Sequence, residues 1–406
     1  MSKIYEKTAL TPLQVARFGG YIDWAIQPSK FKKYPDFLYR YPLIGHEALK
    51  VIKLSRQITL KTQIEGNAYY QLNTPSAGNL HPLELYVQIR GIKGLISGIY
   101  HVYPLEESLV LIREIADDGL EVSVGLSEKF YGILFLLSIV PFRSEWKYGE
   151  RGFRYCYLDA GHQIGAIQAS ATVCEQKVTI LSNFDSNCLN NLMGFFNQEF
   201  ICGVLAIGSQ TKKAVKAIKA PLMKVSPTDY CDSHGAIIND ILEQNVYSRL
   251  SDENNFYVDE KAIFQRRSAR KFSQNKISKS QFEHFMHLST NMTNSQSCHV
   301  VVLQDDYLEA GIYKNNQIIQ RGQFSKEMIA LLVNQNFINN AFMIVIITSE
   351  KFNANELMNS AVNAHALHLE VQMHNAGFSG IGAFYDKKLQ KFLQTKEYIL
   401  YVCAIG

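Results

Sequence analysis

The feature that most limits how this chain can fold is an internal repeat. GIY at Gly98 to Tyr100 returns as GIY at Gly311 to Tyr313, and ILFLLSIV at Ile133 to Val140 returns as AFMIVIIT at Ala341 to Thr348. DAGHQIGAIQAS from Asp159 returns as NSAVNAHALHLEVQ from Asn359, and VLAIG ending at Gly208 returns as VCAIG ending at Gly406. Four matches in one order imply two copies of a single α+β domain. The predicted division is a first domain over 1–210 with an N-terminal arm, a polar, charge-mixed linker over 211–260, and a second domain over 261–406.

Composition supports two cores and narrows the partners. The 406 residues are 47% hydrophobic and 12% aromatic, ample for two domains. Lys and Arg number 41 against 37 Asp and Glu, and they are scattered apart from one cluster, so no footprint for nucleic acid is visible. Small-molecule or protein partners fit better. The first residues are charged throughout, and nothing approaches the ~18 uncharged apolar residues of a membrane span, so the chain reads as cytoplasmic. Seven cysteines at wide spacing, with no CxxC pair and an odd total, read as reduced, buried small hydrophobes.

Local patterns give a coarse element list. TPLQVARFGGYIDWAI and HEALKVIKLSR are helix-like, and the Pro- and Tyr-rich stretch between them reads as an irregular arm. LELYVQI, GIYHVYP and LVLIREI form a predicted meander of strands. SEKFYGILFLLSIVPF is expected to join a helix end to a buried strand, and a long buried helix is expected from Tyr155. FICGVLAIG reads as a central strand.

The copies differ in what they carry. The first has PSAGNLHP at Pro75 to Pro82, where Pro fixes one φ, small Ser76, Ala77 and Gly78 allow close backbone approach, and Asn79 and His81 offer side-chain hydrogen bonds. It also has KYGERGFRY from Lys147, which the second copy lacks. The second copy opens with QRRSARKF, where Arg266, Arg267, Ser268 and Arg270 form a compact anion site suited to phosphate; the first copy keeps only Arg56 and Lys61 there. In its HNAGFSGIGAF, Gly377, Gly380 and Gly382 read as the end of a helix that allows close backbone approach to a planar ring or phosphate, and a segment following a helix is not the strand-to-helix setting of a dinucleotide fingerprint. His162, in an apolar helix, reads as a core histidine. His284 and His287 show no carboxylate or cysteine companions at ligand spacing, so no metal site is expected.

PSAGNLHPLELYV, GLISGIYHVYP and KYGERGFRYCYLDAGH resemble the SagB/ThcOx-type dehydrogenases of the nitroreductase superfamily. RRSARKFSQNKIS and GFSGIGAF resemble the opening and closing signatures of an ordinary nitroreductase domain. In that family two copies form a dimer with FMN at their interface. The resemblance therefore implies two fused nitroreductase-like domains forming an intrachain pseudo-dimer, open to further oligomerisation, with one FMN per chain. Arg266, Arg267, Ser268, Arg270, Gly380, Ile381 and Gly382 would come from the second copy; Pro75, Ser76, Ala77, Gly78, Asn79 and His81 from the first. The chain departs from the pattern at its end, where Gly406 is the last residue and the family often has a basic one.

The resemblance also implies a reaction. Lys147 and Tyr148 match the pair proposed as base in azoline oxidases, where thiazolines or oxazolines of a peptide product are dehydrogenated to azoles with hydride passing to FMN. Adjacent Lys and Tyr suit that work, since burial or a neighbouring cation, here Arg151 or Arg154, can bring either toward neutral pKa. Biosynthetic partner enzymes follow from the same resemblance. NAD(P)H-dependent reduction of nitro or quinone substrates remains open, as does a flavin-binding scaffold subunit of a biosynthetic complex.

Overall fold

A computed structural model describes residues 3–18, 22, 24–64, 66–195, 197–229, 237–244, 257–272, 277–292, 296–304 and 306–406. Cys231 and residues 273–276 of the Arg-rich opening lie outside them. The chain divides into two compact units, one of Asp23–Asn255 and one of Met1–Ile22 with Phe256–Gly406.

The division places the start of the chain differently from the sequence expectation of an arm on the first domain. Helices α1 (Lys3–Thr8) and α2 (Pro12–Phe18) belong to the C-terminal unit. Helices this short have no stability of their own and must be held by tertiary contacts. Tyr5, fully buried, packs edge-on to Phe352 and Tyr398 at 5.0 and 4.7 Å. Leu10 N donates to Asp386 Oδ2 at 2.9 Å, and Glu6 pairs with Lys387 at 2.7 Å.

The N-terminal unit runs β1 (Arg40–Pro42), α3 (Lys50–Ser55), the hairpin β2 (Ile58–Ile64) and β3 (Asn67–Leu72), then β4 (Leu83–Arg90), β5 (Gly98–Tyr103) and β6 (Ser108–Glu114). After the short β7 (Asp118–Gly119) come β8 (Glu128–Ile139), α4 (Phe142–Tyr148) and α5 (Gly152–Val173). It continues with β9 (Thr179–Ile180), α6 (Ser186–Met193), β10 (Phe200–Ala214), β11 (Lys216–Ala217) and α7 (Ile238–Leu242). The C-terminal unit resumes with α8 (Glu260–Gln265), α9 (Lys279–Thr290), β12 (Ser297–Val302), β13 (Gly311–Lys314), β14 (Gln317–Arg321) and α10 (Ser325–Leu331). Then follow β15 (Met343–Ser349), α11 (Ala354–Met373), β16 (Phe378–Ile381), α12 (Asp386–Phe392) and β17 (Tyr398–Ile405).

The main sheet of the N-terminal unit has the order β1-β6-β5-β4-β8-β10-β9, and that of the C-terminal unit β14-β13-β12-β15-β17-β16. Setting aside β1, the two orders superimpose strand for strand, with every neighbour antiparallel. The four repeated strings fall on equivalent elements: β5 and β13, β8 and β15, α5 and α11, β10 and β17. Each central strand is buried on both faces, which is why it reads as a continuous apolar run rather than an alternating one. Helix α5 is buried all round, as its lack of a polar face requires.

Three local expectations differ from the structure. Glu128–Ile139 is one strand throughout, since its polar start still pairs with β10, Phe130 opposite Gln210. The glycine segment after α11 is edge strand β16 rather than a helix end, because Phe378 to Ile381 pair with Ile405 to Val402. The early part of the 211–260 stretch continues β10, and its Ile218 and Leu222 are buried in the core of the N-terminal unit. Six described cysteines are free, four of them buried. Among the described residues no helix is long and apolar enough to cross a membrane.

Candidate functional site

In the N-terminal unit the Pro75 loop, α4 and α5 converge. Residues Ala77 to Asn79 form one 3-10 turn in which Gly78 takes φ 62°. Asn79 and His81 also have positive φ, a conformation that short polar side chains tolerate when they bond locally. Asn79 Nδ2 donates to Tyr70 O at 2.8 Å, its Oδ1 accepts from His81 Nε2 at 2.8 Å, and Ser76 Oγ accepts from His81 N at 2.9 Å. His81 is buried and stacked on Phe31, so its ring supports the loop from within. Burial, then the charges of Arg56, Lys30 and Arg143, hold its pKa well below the usual histidine value, which keeps it neutral.

The loop meets the predicted base directly. A Cβ on Gly78 would lie 2.4 Å from the Tyr148 hydroxyl oxygen, so glycine here makes room for that hydroxyl. Tyr148 ends α4, packed edge-on to Tyr155 at 4.7 Å. Lys147 Nζ lies 5.5 Å from the Trp24 ring and 5.6 Å from that of Tyr148, within cation–π range. One turn earlier on α4, fully buried Arg143 donates to the carbonyls of Ser29, His81 and Pro227 at 2.8, 3.1 and 2.6 Å and pairs with Glu84 at 2.7 Å. That one guanidinium fixes the loop's end relative to the helix carrying Lys147 and Tyr148.

Two residues beside this site carry no recognisable signal in the sequence. Lys30, half-buried, has its pKa lowered by burial and then by Lys147, and its ammonium sits 5.2 Å from the Tyr69 ring. Asp159 on α5 is hydrogen-bonded to the Ser76 side chain and the Ala77 backbone, and burial pushes its carboxyl up to about 8 against those bonds. Arg56 is buried and donates to Gln163 Oε1 and Leu83 O at 3.1 and 2.6 Å, so it serves as an internal brace. His162 is buried in α5.

In the C-terminal unit the Arg-rich opening lies along β16. Ser268 bridges Phe378, Ala269 N donates to Phe378 O at 2.8 Å, and Arg270 Nη1 donates to Ser379 Oγ at 3.3 Å. Arg266 is buried, Arg267 half-buried and Arg270 exposed. Burial and then the charge of Arg267 press the Arg266 pKa down to about 9, strain that a bound anion would relieve. His368 on α11 stacks on Phe378 at 4.3 Å and hydrogen-bonds Arg267 O at 3.0 Å, holding the turn in place. A Cβ on Gly380 would lie 1.9 Å from the Tyr401 hydroxyl oxygen, so this glycine admits a tyrosine of the adjacent strand rather than an external ring. Ile381 is buried in the same strand, and Gly382 follows it, half-buried. Guanidiniums of graded exposure beside a serine hydroxyl suit a phosphate monoester.

This arrangement is a nitroreductase-like fold. It aligns with the crystal structure of an Anabaena variabilis protein assigned to the nitroreductases over 99% of this chain and 98% of that one, with TM-score 0.80 at 21% identity. Residues 263–406 match the nitroreductase family model. A Methanocaldococcus jannaschii protein assigned to the nitroreductases is 34% identical over 102 residues, 24% of this chain. The chain spans about half the length of that relative, 51% of it. The Escherichia coli microcin synthetase McbBCD complex aligns over 50% of the chain at TM-score 0.33 and 15% identity, too distant to bear on function.

Proposed function

We propose that the protein is an FMN-dependent oxidoreductase built from two fused nitroreductase-like domains, and that it dehydrogenates azolines to azoles in a peptide product. The observation that carries the flavin reading is the Arg266 to Arg270 segment bound along β16 inside the region that matches the nitroreductase family. FMN, when bound, would supply the hydride acceptor. Arg266, Arg267, Ser268 and Arg270 would neutralise its phosphate. The Ser76 to Asn79 loop offers backbone held in place by Asp159, His81 and Arg143. Lys147 or Tyr148 would take the substrate proton, with Lys30 as a second nearby amine whose pKa burial and then Lys147 lower. The azoline substrate itself rests on the resemblance of PSAGNLHP and KYGERGFRY to the SagB/ThcOx-type dehydrogenases.

The test begins with the purified chain. About one FMN per chain supports the reading, and two per chain or none after flavin supplementation counts against it. Arg267→Ala should lose flavin retention. With flavin retained, Lys147→Ala and Tyr148→Phe should each slow azoline oxidation on the order of a hundredfold or more. Turnover of a nitro compound with NAD(P)H, and none of an azoline peptide under oxygen, would instead make the protein a nitro or quinone reductase.

A further inference from the structure

Helices α9 and α11 bring His284, Glu370 and His374 together, with one donor atom from each lying within 4.8 Å of the others. Glu370 lies in the last turn of α11 and His374 caps that helix four residues on, so the two side chains meet on one face. His284 Nε2 lies 2.8 Å from Glu370 Oε1, and His374 Nε2 lies 3.3 Å from the same oxygen. The sequence shows no carboxylate at ligand spacing from His284 because its companions come from another stretch of the chain; the fold delivers Glu370 from 86 residues away.

We propose that this triad binds a transition-metal dication of the zinc class, closing the contact between α9 and α11. Two imidazoles and one carboxylate are borderline ligands that select zinc-like ions over calcium or magnesium, which prefer all-oxygen shells. Metal–donor bonds of about 2.0–2.2 Å in a tetrahedron set donors roughly 3.3–3.6 Å apart. The His374 to Glu370 spacing already matches. The His284 spacing must open by roughly half an ångström, which that side chain, 42% exposed, can supply by a small rotation. Water would complete the shell.

The surroundings make a sharper demand. Gln281 Oε1 accepts from Ser278 N at 2.8 Å in the capping box that begins α9, so its amide nitrogen faces His374 Nδ1 at 3.4 Å. A ring that gives Nε2 to a metal carries its proton on Nδ1, and there it meets a donor where an acceptor is needed. Glutamate at 281 would keep the capping box and supply that acceptor.

A bound ion would matter because of what these helices carry. Helix α11 holds His368 against Arg267 and leads into β16, and α9 follows the Arg-rich opening in sequence. Clamping the two helices stiffens the frame around the candidate phosphate residues.

Zinc is titrated by calorimetry into the chelator-treated, full-length protein. The expected result is one zinc per chain at the triad and no heat with calcium or magnesium. His284→Ala and His374→Ala should each weaken binding on the order of tenfold or more, the scale that even outer-shell changes reach. His287→Ala, an exposed histidine on the same helix bonded to Asn291, should leave it unchanged. Gln281→Glu should bind more tightly, and it keeps the test informative if the alanine variants fail to fold. No zinc heat in the wild type, wild-type affinity in either His284→Ala or His374→Ala, an equal loss in His287→Ala, or no gain in Gln281→Glu overturns the proposal.

Discussion

Gly78→Ala tests the juxtaposition on which the N-terminal site depends. The backbone at 78 has φ 62°, and alanine there costs roughly 1–2 kcal/mol from its Cβ alone. Its methyl would also sit 2.4 Å from the Tyr148 oxygen, so the hydroxyl must retreat by about 1 Å to reach an ordinary contact. Tyr148 is braced by Tyr155, and repacking of this kind adds about 1–3 kcal/mol. Gly78→Ala is therefore expected to cost about 2–5 kcal/mol, each kcal/mol lowering Tm by about 2–4 °C for a unit of this size. Tyr148→Phe removes the clashing oxygen and leaves the ring carbon at 3.3 Å, so Gly78→Ala in that background should cost only the backbone share. Urea unfolding of the four proteins should give a coupling of about 1–3 kcal/mol. Coupling near zero would show that the hydroxyl does not rest on Gly78. If Tyr148 acts in the reaction, a displacement of this size should also lower kcat on the order of a hundredfold with flavin content unchanged.

Asp159 predicts a pH dependence of stability. Its folded pKa, about 8, lies above the ordinary value of 3.8, so the folded state holds a proton that the unfolded state gives up. The resulting stability is complete below about pH 4 and is lost as pH rises toward 8; unfolding between those limits should show that slope in the wild type and a flatter one in Asp159→Asn. Arg143→Ala should destabilise the protein by about 3–5 kcal/mol, measured by urea unfolding, because buried Glu84 loses its paired guanidinium and keeps only its bonds to His101 and the Lys32 amide. Tyr5→Ala should cost about 3–5 kcal/mol in the same assay, as expected for emptying a buried aromatic site between Phe352 and Tyr398. A Tyr5→Ala protein as stable as the wild type would mean that α1 is not held there.

Much of the fold was legible because burial of a strand or helix is written locally. ILFLLSIV and AFMIVIIT need only their own apolar runs to become central strands, and four such strings in one order sufficed to expect a duplicated α+β domain. The same strings landed on equivalent positions of two sheets with one strand order. The Arg266 to Arg270 run was visible as a compact cluster, whereas its seat on β16 was not, since the glycines read as a helix end until Phe378 to Ile381 were seen paired with β17. Lys30 and Asp159 gave no signal because a lysine among others in an irregular arm and an aspartate in an apolar helix each have commoner explanations.

By itself, then, the sequence determined the two copies, their element order and the residue types each copy kept or lost. Tertiary structure decided which residues meet: Gly78 beneath the Tyr148 hydroxyl, Gly380 beneath that of Tyr401, His284 beside Glu370 and His374, and α1 against the C-terminal unit. The physical reason is range. Hydrophobic periodicity reports whether a side chain leaves water, a property of its neighbours along the chain. Hydrogen bonds, clashes and ligand sets depend on contacts between residues as far apart as Gly78 and Tyr148 or Leu10 and Asp386, 376 residues apart, and only the packed chain sets those distances.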